Sequence, residues 1–260
     1  MKSPVPRAVL EPSTPPPTTG TSRRWTVLRE GDPYREARLR MVEQLRRSGL
    51  VTSSRVLEAM ARVPRHLFVP PEYRGMAYED RPLPIGHGQT ISAPGVVGRM
   101  LQLLDPRPGD RVLDVGAGSG YQSALLAELV SPGGRVYAVE RIPELAEYAR
   151  ENLGRAGYLG VVEVVVGDGS RGLPQHAPYQ RIKVAAAAPK PPKPLVEQLA
   201  SGGRMVIPIG TPDLQVLTVI EKTPEGRVRE WRDIEFLFVP LIGEHGYRED
   251  WRKQYWQWWR

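Results

Sequence analysis

Residues 111–122 read RVLDVGAGSGYQ, an aliphatic run that reaches Asp114 and passes at once into Gly116, Gly118 and Gly120. The aliphatic part predicts a buried strand. The glycines predict a turn that takes positive φ and carries no Cβ, so a ligand can come up against the backbone. The SALLAELV that follows is helical in character, and its first amides would face that ligand. Many nucleotide-binding proteins share one strand, turn and helix of this kind, so the flanking segments decide what it holds.

A second strand, RVYAVE at 135–140, ends in Glu140, about 20 residues past the glycines, where an acid can accept from both ribose hydroxyls. NAD enzymes share that much. A third strand, VEVVVGD at 162–168, ends in Asp168 and sets another acid near the expected adenine amino group. Asp114 beside the glycines would repel a pyrophosphate but tolerate a sulfonium and its ammonium group. The three strand-end acids therefore point to S-adenosylmethionine.

Helices are predicted near 119–130, 143–156 and 194–200, with further strands at 181–187 and 203–210. Two more strand-like runs, 214–223 and 228–242, are close enough to pair antiparallel. Alternating β and α in this order predicts an α/β, Rossmann-like, mostly parallel sheet covered on both faces, with an antiparallel edge. Its ligand belongs at the carboxyl ends of the strands. Upstream, Ala37, Met41, Leu45, Val56, Leu57, Met60 and Val63 recur at helical spacing and predict a helical cap on a domain spanning 23–243. The Pro/Ser/Thr-rich residues 1–22 lack the apolar surface to offset ordering and read as a disordered arm. Between them, residues 64–94 hold too many prolines and glycines for a regular element, and a loop that long is more often functional than idle.

Composition narrows the chemistry. The chain has no cysteine, so disulfides, thiolate nucleophiles and cysteine-held metals are excluded, and its four histidines are scattered with no metal site expected. Residues 1–60 carry 11 Lys/Arg against 6 Asp/Glu, whereas the remaining 200 carry 25 against 23. The net +7 is thus concentrated at the start, and the nearly neutral body argues against nucleic acid as a partner. No apolar run reaches membrane-spanning length, and the opening MKSPVPRAVLEPSTPPP lacks the apolar stretch of a secretory signal. A cytoplasmic location is expected.

Several separate segments make the chain resemble the protein-L-isoaspartate O-methyltransferase family: RVPRHLFVP at 62–70, AYEDRPLPIGHGQTISAP at 77–94, LDVGAGSGYQ at 113–122, YAVERIPELA at 137–146, GDG at 167–169 and FVPLIG at 238–243. GQTIS ahead of the first strand is the most specific of them. The resemblance implies a seven-stranded methyltransferase fold that transfers a methyl group from S-adenosylmethionine to the α-carboxylate of isoaspartyl residues in damaged proteins or peptides. It implies Ser92 as the active-site hydroxyl. It places the cofactor on Thr90, Ile91, Asp114, Gly116, Gly118, Ser119, Glu140, Asp168 and Gly169. The substrate falls on His87, Gln89, Thr90, Ser92, Val239 and Pro240. Read from the residues alone, Ser92 could equally cap the helix that begins near Pro94, and Val239 and Pro240 could simply end an edge strand.

Two features depart from the family pattern. The fourth strand, YQRIKVAAAA, carries Gln180, Lys183 and Ala185 where the family has Asp, an aliphatic residue and Thr. A lysine on a buried strand must snorkel, find an acid or give up its charge. The chain also closes on EHGYREDWRKQYWQWWR at 244–260, with four of its six tryptophans in the last ten residues. That extension could dock on its own domain, join a second copy or grip a peptide. Three functions stay open at this point: isoaspartyl repair, tailoring of one dedicated partner, and a non-catalytic cofactor binder.

Overall fold

A computed structural model describes residues 32–211 and 213–250. The arm at 1–22 and the tryptophan-rich residues 251–260 lie outside the described residues. The helical cap is α1 (Arg35–Arg47) and α2 (Ser54–Arg62), whose spaced apolar residues Met41, Leu45, Val56, Leu57 and Met60 are buried. Ser53 caps α2 by accepting from the Val56 amide at 3.5 Å.

The segment expected to be irregular is more ordered than its composition suggests. It contains 3-10 turns at Arg65–Phe68 and Pro71–Met76 and then an antiparallel hairpin, β1 (Leu83–Gly86) with β2 (Gln89–Ile91). Leu83, Ile85 and Ile91 are buried while Pro84, Gly86 and Thr90 face out, so the hairpin is pinned to the domain by one apolar face. Its two glycines flank His87, which takes φ +53° at the tip.

Next come α3 (Pro94–Leu104), β3 (Arg111–Val115), α4 (Tyr121–Val130), β4 (Arg135–Glu140), α5 (Pro143–Ala156), β5 (Val162–Val166), β6 (Tyr179–Val184), α6 (Lys193–Glu197), β7 (Leu199–Thr211), β8 (Leu214–Lys222) and β9 (Val228–Phe236). The last seven strands form one sheet in the order β5-β4-β3-β6-β7-β8-β9, parallel through β7 and antiparallel from there to the edge. Strand β3 is buried on both faces. Val112 joins the core beneath α1 to α5, and Leu113 and Val115 join the core shared with α6.

Several boundaries differ from expectation, the third strand among them, which ends at Val166 and not at Asp168. Helix α6 stops at Glu197, short of 200, because Leu199 already pairs with Tyr179 as the first rung between β6 and β7. The strand expected over 181–187 leaves the sheet after Val184, and that expected over 228–242 ends at Phe236. The two loose ends find each other: Ala187 N–H donates to Val239 O at 2.8 Å, and Leu241 N–H donates to Ala187 O at 2.7 Å. Among the described residues no helix is long and apolar enough to cross a membrane.

Candidate active site

A cavity opens to solvent at the carboxyl ends of β3 and β4. It is lined by the glycine turn, taken as its floor, and by two walls, the hairpin with Ile85 and Gln89 to Ser92, and the segment Val239 to Ile242. Turn and hairpin are in close contact, for a Cβ on Gly118, which has φ +55°, would lie 3.3 Å from Ile85 Cδ1. Gly120, at φ +89°, admits α4 against α5, where a Cβ would meet Leu153 at 3.1 Å. The long crossing from Ala185 to Ala188, held to Val239 and Leu241, is what carries the far wall to the site.

Glu140 is 7% exposed and lines this cavity. Gly118 N–H donates to its Oε2 at 2.9 Å and Ile142 N–H to its Oε1 at 3.1 Å. Each oxygen is thereby oriented and keeps a further lone pair for an incoming hydroxyl. Thr90, Ile91, Ser92, Gly116, Gly118, Ser119 and Gly169 line the same cavity, as do Gln89, Val239 and Pro240. Ser92 is half-buried, and the N-cap position of α3 falls on Ala93 with no side-chain bond to the helix. The capping reading of Ser92 is therefore corrected: its hydroxyl is not spent on the helix.

Two of the acids expected at the cofactor lie elsewhere. Asp114 is fully buried beneath the turn and does not reach the cavity. Parallel pairing puts it directly beside Lys183 of β6, and the two side chains form an ion pair with no solvent exposure on either. Its other oxygen accepts from Ser123 Oγ at 2.6 Å. The charge that was expected to greet a sulfonium is instead neutralised by the very lysine that looked anomalous. Asp168 is also turned aside. Ser170 N–H and Oγ donate to its Oδ1 at 2.9 and 2.7 Å, and Glu244 N–H donates to its Oδ2 at 2.8 Å. Burial pushes this carboxyl up, but the hydrogen bonds from Glu244 and Ser170 outweigh it and hold it below the ordinary value of 3.8. Gly243 approaches so closely that a Cβ there would collide with the carboxylate.

The remaining departures are accommodated. Gln180 Oε1 accepts from Arg111 N–H at 2.8 Å, tying the starts of β6 and β3 together with a neutral acceptor. Ala185 lines the cavity beside Gly116. A groove continues outward from the cavity and is lined by His87, Gly88, Gln89, Arg141, Val239, Pro240, Ile242 and Glu249. It brings together four of the six residues expected at the substrate. Sequence reasoning missed Arg141, which lines both spaces although it directly follows Glu140, and Gln122, the last residue of the opening stretch. Gln122 lines the cavity with its buried Oε1 lacking a hydrogen-bond partner among the described residues.

The family model described as protein-L-isoaspartate(D-aspartate) O-methyltransferase matches residues 36–246. The protein-L-isoaspartate O-methyltransferase of Aeropyrum pernix is 90% identical over 260 residues, covering 100% of both chains. The enzyme of the same name from Hyperthermus butylicus is 57% identical, over 86% of this chain and 95% of that one. Among solved structures, the Plasmodium falciparum protein-L-isoaspartate O-methyltransferase in complex with S-adenosyl-L-homocysteine superposes with a TM-score of 0.71 at 28% identity, covering 79% of this chain and 98% of that one.

Proposed function

The chain belongs to the protein-L-isoaspartate(D-aspartate) O-methyltransferase family, and from that premise we propose how its residues divide the work. The protein is an S-adenosylmethionine-dependent enzyme that methylates the free α-carboxylate of L-isoaspartyl residues and so starts their repair through a succinimide. S-adenosylmethionine supplies a methyl group activated on a sulfonium. The residues present fit this cofactor. The glycine turn leaves its backbone open, Glu140 offers two oriented acceptors, and Gln122 brings an unpartnered polar atom to the wall.

The remaining groups need not supply a base. A carboxylate with a reference pKa of about 3.9 is already ionised at neutral pH. Attack needs alignment and partial loss of water, which the partly apolar cavity and its hydroxyl provide. Ser92 holds the substrate carboxylate by donating a hydrogen bond, and Thr90 and Ile91 shape the space beside it. His87, Gln89, Val239 and Pro240 receive the peptide in the groove. The new ester then loses methanol when the neighbouring amide nitrogen closes on its carbonyl, a step that asks nothing further of the protein. One observation supports this reading: a hydroxyl not used by its helix lines the same cavity as the oriented Glu140 and the Val239 segment.

Two peptides of equal mass, one with isoaspartate and one with aspartate, test it side by side. The expected result is a mass gain of one methyl group, followed by succinimide, on the isoaspartyl peptide alone. Equal methylation of both would refute it.

A further inference from the structure

One buried charge takes no part in the chemistry above. Arg65, at the start of the first 3-10 turn, is fully buried, and among the described residues its guanidinium makes no ion pair. It binds carbonyls instead: Nε donates to Ala77 O at 2.7 Å and Nη2 to Ser92 O at 2.8 Å. Its Cζ stands 5.0 Å from the centre of the Tyr121 ring, and Nη1 has no hydrogen-bond partner among the described residues. Burial draws its pKa down to about 10, which leaves it charged at neutral pH. A buried unneutralised cation is costly, and an apolar side chain would fill the same space more cheaply. A guanidinium, however, holds two separate carbonyls in a fixed planar geometry, which the freely rotating donors of an ammonium do not impose.

The second of those carbonyls is that of Ser92. Three residues on, the same stretch is gripped again, where Gly95 N–H donates to Asp80 Oδ1 at 2.7 Å. No side chain could replace that glycine without displacing neighbours, since a Cβ would lie 2.7 Å from Asp80 Oδ2 and 2.8 Å from Leu50. The backbone of Ser92 to Gly95 is therefore clamped at both ends while the Ser92 hydroxyl stays out of the helix cap. Arg65 touches the floor of the cavity as well, because Tyr121 directly follows the glycine turn, opens α4 and lines the cavity.

We propose that Arg65 is a positioning residue for methyl transfer, fixing the Ser92 hydroxyl relative to the glycine-turn floor of the cavity through the Ser92 carbonyl and the Tyr121 ring. The inference rests on the role given to Ser92. A small misplacement of an aligning group is enough to slow a reaction that depends on alignment.

The test is a double-substitution cycle on the full-length enzyme with an isoaspartyl peptide, using Arg65→Met, Arg65→Lys and Ser92→Ala. Arg65→Lys keeps the charge but loses the fork, and it carries the test if Arg65→Met does not accumulate as folded protein. In the unaltered background, kcat is expected to fall about tenfold or more, while KM and the calorimetric Kd for S-adenosylhomocysteine stay within about twofold. In the Ser92→Ala background the same substitution is expected to change kcat by less than about twofold, because the group it positions is already gone. Equal losses in both backgrounds, or a loss confined to cofactor affinity, would overturn the proposal in favour of a purely structural role. A Ser92→Ala enzyme as fast as the unaltered one would instead remove the premise, and the proposal with it.

Discussion

Replacing Lys183 with Met tests the least expected contact in the molecule. Lys183 and Asp114 face each other across the register of β6 and β3, both without solvent exposure. Met fills nearly the same volume, so little packing is lost. The Asp114 carboxylate, however, is left with Ser123 Oγ as its hydrogen-bond donor. Stranding one member of a buried pair costs about 3–5 kcal/mol. Measured against a typical domain stability of about 5–15 kcal/mol, that loss is severe. The companion variant Lys183→Met with Asp114→Asn removes both charges and keeps an acceptor for Ser123. It should recover most of the loss and end within about 1 kcal/mol of the unaltered protein. Guanidinium chloride unfolding followed by circular dichroism, with the slope checked for constancy, gives the three free energies. A single variant that costs less than about 1 kcal/mol, or a double variant worse than the single one, would refute the claim that the charges depend on each other.

Three further outcomes follow from the site. Glu140→Ala should weaken S-adenosylhomocysteine by about 1.5–3 kcal/mol in calorimetry, the range for hydrogen bonds to a charged group, and unchanged affinity would remove Glu140 from the ribose. Asp168 has a lowered folded-state pKa, so its contribution to stability is present above 3.8 and is lost as pH falls through the lower folded value. The stability gap between the unaltered protein and Asp168→Asn should therefore be widest near neutrality and close in acid; a gap that grows on acidification would contradict the assignment. Truncation after Gly246 removes Tyr247, which is 5% exposed and donates its hydroxyl proton to Gly210 O. The melting temperature should drop by several degrees while a short isoaspartyl peptide is still methylated, and an unchanged melting temperature would show that this contact does not stabilise the domain.

Where local pattern and global fold agree, the sequence was readable. Strands β3, β4 and β5 are aliphatic runs that end at a glycine or an acid, and the ends of β3 and β4 bring the glycine turn and Glu140 to the cavity. The hairpin was hidden because its strands are four and three residues long, too short for a period to show. The partner of Lys183 was hidden for another reason. It depends on which strand lies beside β3, and that neighbour is β6, far along the chain. Asp168 lies two residues past the end of β5, where it caps a 3-10 turn, and its carboxylate is claimed by the amides of Ser170 and Glu244, the latter brought over by the turn at Gly243. Val239 and Pro240 reach the site only because the chain leaves the sheet on both sides and pairs with Ala187. Arg65 gave no signal, since a lone arginine among prolines does not reveal which carbonyls it will meet.

The two walls of the cavity, residues 89–92 and 239–242, lie far apart in the chain, and the floor comes from between them. A pocket assembled from such distant pieces cannot exist in a partly built protein, because each wall needs the whole sheet between them as its foundation. Contacts this remote are late to form and costly in chain entropy. They are also the natural places for local opening once folding is complete. Whatever fills the cavity joins the first part of the domain to the last and holds the protein more tightly closed, in proportion to how well it binds. The enzyme's own cofactor is in this sense a clasp, and a protein that mends aged chains is itself kept from loosening by the molecule it consumes.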